Sequence, residues 1–348
     1  MKAPSAQHNV SVENVYRLEG RVPIGKAIPL GLQHVLAMFV ANVTPIMLIC
    51  AVAVYNGVPL TGVDEARLIQ NCMIMAGIGT LIQLFPLWRV GSGLPVVMGI
   101  SFTFVAALTT LAARDYGLVI GSVIVGGCIE GCLGLTIKYW RKFVSPIVSA
   151  CVVTTIGVSM LGTGIDSFAS SEVYAYGSWQ NLLVAAITLI ACILIQAFAK
   201  GFLKQVAILG GLIVGYIVSI FFGMVDFASI ADTVHEMGFV AFPMLFHYAP
   251  KFDIGAIISI TLVFLVSAAE TIGDTTACCE GGLGRSITGE ELSGSICCDG
   301  FASAISGGVF GCPPITSFSQ NVGLIAMTKV VNRFTIMFGA LIMILAGL

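Results

Sequence analysis

Residues Ser267–Gly323 read SAAETIGDTTACCEGGLGRSITGEELSGSICCDGFASAISGGVFGCPPITSFSQNVG, and the fold turns on how they are read. Glu270 and Asp274 stand one helical turn apart inside an apolar run, so they share a face. A small acidic loop follows, then a second apolar run that holds Asp299. That run breaks at Gly311, Pro313 and Pro314, with Thr316-Ser317-Phe318-Ser319-Gln320-Asn321 directly beyond. Carboxylates and amides flanked by this much hydrocarbon are costly unless they line a protein interior or a watery path. The stretch predicts a membrane protein with a polar site near mid-depth.

Composition points the same way. The chain is 57% hydrophobic and 10% charged, against about 25% charged in a soluble domain. Its 40 glycines suit close helix packing and broken helices in lipid. A formal net charge of -2 gives no basis for a polyanion partner, so nucleic acid is excluded. The 11 cysteines form no CxxC pair and read as small buried apolar residues. His235 and His247 lie twelve apart with no companion ligands, so no metal site is expected. There is no Gly-rich loop ending in Lys-Ser/Thr, no GxSxG and no HExxH, so the chain does not read as an enzyme.

Eleven apolar segments follow a polar tail over residues 1–26. They run 27–50, 68–88, 94–113, 117–138, 144–162, 179–199, 205–225, 254–275, 290–308, 312–328 and 334–348. Most approach the roughly 20 residues a membrane-spanning helix needs. With the N-terminus inside, thirteen Lys and Arg fall on inside connections. Only Arg67, Arg114 and Lys251 fall outside, together accounting for all 16. That asymmetry predicts a cytoplasmic N-terminus. The tail has no apolar run of its own, so the first segment reads as a true span. The outside connections Asn56–Glu65, Gly164–Ser178 and Asp226–Lys251 read as solvated loops, with a short surface helix over Asp232–Gly238.

Segments three and ten are both short, interrupted by Gly and Pro, and rich in Ser and Thr. They lie seven segments apart, and an odd offset means a repeat of inverted topology. Paired broken segments in inverted halves point to a transporter's binding site. Two repeats of seven need fourteen spans, so the sequence covers about eleven of fourteen and stops during span eleven.

The intramembrane polar residues are the candidates for that site. Glu270 is placed to accept from ligand N–H groups, or else to pair structurally. Asp274 holds Glu270 or takes a proton, unless Thr275 and Thr276 satisfy it locally. Asp299 supports the site, couples a proton, or packs on the broken segment. Glu130, amid Gly126-Gly127-Cys128-Ile129, reads as structural or gating. Gln320 and Asn321 follow the break, where a half-helix starts with free backbone N–H groups. The Gln amide offers an acceptor and a donor to the edge of a planar heterocycle. Phe102 either stacks on such a ring or packs in the core. Gln33 and His34 lie in segment one, where His34 serves as a hydrogen-bonding strut or a proton carrier. Asn42 and Thr44-Pro45 are expected to break that segment, and Gly281–Arg285 to form a flexible inside connection.

These residues resemble the nucleobase–cation symporter-2 family, the nucleobase–ascorbate or xanthine/uracil permeases. The likeness rests on Gln33-His34, Ala269-Glu270-Thr271-Ile272-Gly273-Asp274, Asp299, and Gln320-Asn321-Val322-Gly323 through Thr328-Lys329. It implies an all-α polytopic membrane protein of two inverted seven-span repeats, divided into a core and a gate. On this sequence the core takes 27–138 and 254–332 and the gate 139–253, with 333–348 opening span eleven. It implies proton-coupled uptake of a purine nucleobase across the plasma membrane, with sodium as the other possible coupling ion, no cofactor, and dimerisation through the gate. Glu270, Gln320 and Phe102 would hold the ring, with backbone near Ser101 and Ser319. His34, Gln33, Asp274, Asp299, Asn321 and Glu130 would support it. Uracil carriers of the family usually have Glu where Gln320 stands, so the resemblance is to the xanthine/urate branch. Uptake of uracil or another nucleobase, a channel or facilitator of the same fold, and a non-transporting remnant are the alternatives.

Overall fold

The computed structural model describes residues 10–348 except 141–145, 172, 229–234, 236–237 and 239. Most of the surface helix expected over Asp232–Gly238 therefore lies outside the described residues. Two compact units are present, Val153–Phe242 and the remainder of the chain. Five helical stretches among the described residues are long and apolar enough to cross a membrane. The molecule is an all-α, multi-pass membrane protein with two very small β ladders.

The larger unit begins with α1 (Ile24–Cys50), a hairpin of β1 (Val54–Tyr55) and β2 (Val58–Pro59), and α2 (Gly62–Leu84). α1 runs unbroken through Pro29 and Pro45, contrary to the break expected at Thr44-Pro45. The Thr44 hydroxyl donates to the Val40 carbonyl one turn back, inside a continuous helix. α2 starts at Gly62, six residues before the sequence estimate. The Thr61 hydroxyl accepts from Asp64 N–H, and the Asp64 carboxylate accepts from Thr61 N–H at 2.9 Å. Asp64 is thus half of a capping box rather than a free loop charge.

Beyond α2 the backbone becomes extended at β3 (Met98–Ile100), tightens into a 3-10 turn over Phe102–Phe104, and continues as α3 (Val105–Ala112). α4 (Tyr116–Leu135) follows. α5 (Pro146–Ser159) fills segment five and carries the chain to the smaller unit, and α6 (Leu161–Ala169) occupies the first part of Gly164–Ser178, where a solvated loop is expected. Within the smaller unit, α7 (Trp179–Phe198) and α8 (Ala207–Phe221) pack through small residues, Gly211 against Cys192 and Gly215 against Thr188. The Asn181 amide fixes the turn before α7 by donating to the carbonyls of Ala169 and Ala175 at 2.9 and 3.2 Å.

The larger unit resumes with α9 (Ile254–Ala277), α10 (Gly289–Phe310), β4 (Ile315–Ser317), α11 (Ser319–Thr328) and α12 (Arg333–Ala346). The connection from α9 to α10 is not the flexible loop expected. Cys278–Leu283 continue α9 as a π-helical turn. A Cβ at Gly282 would stand 2.6 Å from the Ile325 side chain, so glycine lets this turn lie against α11. Lys329 Nζ donates to the Gly281 carbonyl, and Arg285 grips Glu291 with two hydrogen bonds of 2.9 and 2.5 Å.

α4 and α10 approach closely along a stripe of glycines. A Cβ at Gly127 would meet the Gly300 carbonyl at 2.6 Å, and one at Gly134 would meet Cys297 N at 2.7 Å. Small residues at this spacing let two backbones approach where lipid offers no hydrophobic drive. Seven of the cysteines are buried as expected, but Cys128, Cys132 and Cys151 are exposed. They sit on helices α4 and α5, both apolar in sequence.

Two polar ties close the ends of the larger unit. Asp115 caps α4 by accepting from Gly117 N–H at 2.8 Å, and it also accepts from Lys251 Nζ at 2.6 Å and Asn56 N–H at 3.2 Å. Burial works against its charge, but the Lys251 ammonium and the two amides outweigh that and hold the carboxyl below its ordinary value. At the N-terminus, residues 11–22 fold over the start of α12. The Asn332 amide donates to the carbonyls of Asn14, Arg17 and Gly20 at 3.0–3.1 Å, and its oxygen accepts from Thr335 N–H.

Replacing Asn332 by Ala removes the cap of α12 and strands three carbonyls. Thermal unfolding in detergent should report a loss of about 2 kcal/mol, with faster proteolysis of the N-terminal strap. Asp115→Asn should lower the melting temperature at neutral pH. A depressed carboxyl contributes stability above its unfolded value and loses it as pH falls through the folded one. The gap between variant and wild type should therefore shrink below pH ~4 in a melting series across pH.

Candidate functional site

The two broken segments meet. β3 and β4 pair antiparallel, with Met98 opposite Ser317, Gly99 opposite Thr316 and Ile100 opposite Ile315. Ser101 N–H donates to Pro314 O and Phe318 N–H to Val97 O, both at 3.0 Å, so the ladder extends past the strands. Gly99 is required at the crossing, because a Cβ there would fall 2.7 Å from Asn42 Oδ1 and 2.6 Å from the Phe318 ring. The remaining edge groups are satisfied from neighbouring helices. Ile100 N–H donates to Asn42 Oδ1 at 2.7 Å, Met98 N–H to Thr80 Oγ1 at 2.9 Å, and Ile315 N–H to Ser303 Oγ at 3.0 Å. Ser306 Oγ donates to the Pro313 carbonyl at 2.8 Å.

Antiparallel pairing gives the two short helices opposite directions. Each starts just beyond its strand, α3 through the turn at Phe102 and α11 at Ser319. The unfilled N–H groups at these starts, and the positive ends of both helix dipoles, therefore flank one crossing.

α9 lies beside this crossing and ties it at three points. Glu270 Oε2 accepts from Thr103 Oγ1 at 2.6 Å, on the first broken segment. Asp274 Oδ2 and Oδ1 accept from Ser317 and Ser319 at 3.0 and 2.8 Å, on the second. Between them Thr271 donates to Asp299 Oδ2, which also accepts from Thr316 at 3.0 Å. The expected partners of Asp274 were Thr275 and Thr276. Thr275 instead donates to the Thr271 carbonyl within α9, leaving Asp274 to the strand serines.

The other candidates are distributed around this centre. Gln320 is half-buried on the first turn of α11, next to Ser319, which is exposed. Phe102 is half-buried and packs against the cluster that includes Phe318 and Ala268. Ser101 is buried with its hydroxyl unpartnered. Asn321 donates through Nδ2 to His34 Nδ1 at 3.1 Å and to the His34 carbonyl at 3.0 Å, which joins α11 to α1. With the amide donating, the imidazole proton lies on Nε2. Gln33, half-buried on α1, has no hydrogen bond to these groups. Glu130 is buried on α4 with both carboxyl oxygens unpartnered among the described residues.

Sequence reasoning missed Thr103, Thr271, Thr316 and Ser317 as partners of the acids. Their signal was present, since Thr271 follows Glu270 and the rest lie in the two Ser/Thr-bearing breaks. Which hydroxyl meets which acid depends on the strand register.

Residues 25–348 match the model of the permease family that comprises xanthine and uracil permeases. The chain belongs to that family. A xanthine permease of Bacillus subtilis is 33% identical to this permease over 335 residues, 93% of this chain and 72% of the relative. The xanthine permease XanQ of Escherichia coli is 31% identical over 352 residues, 96% of this chain and 73% of the relative. Among solved structures, the transmembrane domain of the cyanobacterial bicarbonate transporter BicA matches with a TM-score of 0.58. It is 13% identical and covers 91% of this chain and 81% of that one, a likeness of fold alone.

Asn42→Ala tests the enclosure of the permease's crossing. It leaves the Ile100 N–H without an acceptor in a dry interior, so thermal unfolding should show a loss of about 1–3 kcal/mol. Thr44→Ala on the same helix, whose hydroxyl bonds only within α1, serves as the mild control.

Proposed function

We propose that this permease takes up a purine nucleobase, xanthine or urate, together with a proton by alternating access. The reading is carried by one arrangement: Glu270 is bonded to Thr103 at the start of one half-helix, and Gln320 lies on the first turn of the other, with the paired strands joining the two. Glu270 has one carboxyl oxygen on Thr103, leaving the other to accept from a ring N–H. The Gln320 amide, which makes no hydrogen bond among the described residues, supplies a donor and an acceptor to the ring edge. Phe102 stacks on the ring, and the Ser101 hydroxyl and the backbone at Ser319 complete its rim. Asp274 fixes Ser317 and Ser319, Asp299 fixes β4, and Asn321 with His34 anchors α11. Gln33, next to His34 on α1, supports the site without a hydrogen bond to that anchor.

Identity to the xanthine permeases of two bacteria over more than nine-tenths of this chain supports the choice of substrate class. The Gln at position 320 favours an oxidised purine over uracil. The core of the transporter would comprise 27–138 and 254–332, moving against a gate drawn from 139–253, which contains the smaller compact unit. Two inverted repeats of seven spans, an N-terminus in the cytoplasm and a homodimer through the gate complete the proposal. The excess of Lys and Arg on one set of connections supports that orientation.

Uptake of labelled xanthine into membrane vesicles, with and without an inward pH gradient, tests the scheme. Gradient-dependent accumulation is expected, with unlabelled xanthine or urate competing better than hypoxanthine or uracil. Glu270→Gln should cut uptake by about 10- to 100-fold, the equivalent of one hydrogen bond to a charged group. Uptake indifferent both to the gradient and to that substitution would overturn the reading, and equilibration without accumulation would indicate a facilitator.

A further inference from the structure

The seam between α4 and α10 buries an acid that the proposed substrate site does not use. Glu130 lies on the α4 stripe formed with Gly127, Gly131 and Gly134, the face that meets α10. It is 1% exposed, and neither carboxyl oxygen has a hydrogen-bond partner or an ion pair among the described residues. A carboxylate held that way costs far more than a neutral acid.

The groups around it do not relieve this cost. From α10 comes Asp299, fully buried, whose Oδ2 is held by Thr271 and Thr316 while Oδ1 has no partner. From α10 also comes the Cys297 thiol, which donates to the Gly131 carbonyl at 3.4 Å. α9 packs on α4 through the Phe264 ring at Gly126, and its acid Glu270 is held by the Thr103 hydroxyl, so α9 brings no cation to the seam. α3 presents no titratable side chain to it. The Lys251–Asp115 pair sits beyond the start of α4, about 20 Å along the helix at 1.5 Å per residue. Two buried carboxyls without a cation do not both ionise.

We propose that Glu130 and Asp299 together hold one exchangeable proton, a second protonation site behind the substrate acid. Two hydroxyls already donate to Asp299 Oδ2, so Asp299 carries the negative charge and Glu130 the proton in the resting pair. Loading a second proton onto Asp299, at the free Oδ1, turns Oδ2 from a carboxylate oxygen into a weaker, neutral carbonyl acceptor. That change weakens the hold of Asp299 on Thr316, the β4 residue next to Ser317. Protonation is thereby transmitted to the strand that leads into α11 and Gln320. The proton enters from water on one side of the membrane and leaves to water on the other, with no bond to carbon made or broken. Its use in transport rests on the nucleobase reading, whereas its presence does not.

Infrared spectroscopy of the purified full chain, without substrate, tests this directly. At neutral pH a protonated-carboxyl C=O band is expected. It should move in deuterium oxide, vanish in Glu130→Gln and shift in Asp299→Asn. Should Glu130→Gln fail to fold, wild type alone decides, because absence of an exchangeable protonated-carboxyl band overturns the proposal. A band left intact by Glu130→Gln overturns it too, as does a band that sodium abolishes at fixed pH, which would mean an alkali cation occupies the seam. In reconstituted vesicles, Glu130→Gln should lower the xanthine accumulation ratio about tenfold for a one-unit pH gradient, the share carried by one proton. Thermal stabilisation of wild type by xanthine tests the nucleobase reading separately, and its failure would leave the infrared result standing.

Discussion

A backbone that leaves the helical state inside hydrocarbon must find every hydrogen bond within the protein. The crossing of β3 and β4 is where this permease meets that constraint, and the rest of the larger unit is arranged to satisfy it. The strands satisfy one edge of each other. Asn42, Thr80 and Ser303 supply the other edge from α1, α2 and α10. Three helices are thus fixed around six residues of extended chain, and a polar side chain on each has a stated reason to be there.

The same geometry creates the electrostatics. Two helix starts flank one spot, and their exposed amides favour negative charge or polar acceptors nearby. Glu270, Asp274 and Asp299 all lie within reach of the crossing, and each is held there by hydroxyls of the strands or the adjoining turns. An array of acids without basic partners is unfavourable as pure structure. It becomes reasonable where protons or a ligand with N–H donors come and go. Packing by glycine serves the same end, since the close approach of α4 and α10 keeps water and lipid away from Glu130 and Asp299.

Much of this was legible in the amino-acid order. Hydrocarbon runs of about twenty residues mark the long helices. Gly311, Pro313 and Pro314 mark a break because proline cannot extend a helix and glycine readily turns out of one. The acids of α9 and α10 announce themselves because charge in such company is costly. These are local signals, each readable within a window of one span. The errors also came from local signals. Thr44-Pro45 carries the marks of a break, but α1 is packed along its length and keeps its course. Gly281–Arg285 carries the marks of a loose loop, but its glycines are there to let a π-helical turn lie against α11.

What the sequence determined by itself is the inventory: which segments are apolar enough for a multi-pass membrane protein, which two are interrupted, and which buried polar residues need partners. What only the tertiary structure decided is the pairing. Met98 faces Ser317 across more than two hundred residues of chain, and that register alone sets Thr316 on Asp299 and Ser317 on Asp274. No local preference encodes a contact between distant segments. It follows from the requirement that all their buried donors and acceptors be met at once, which a single packing of the helices fulfils.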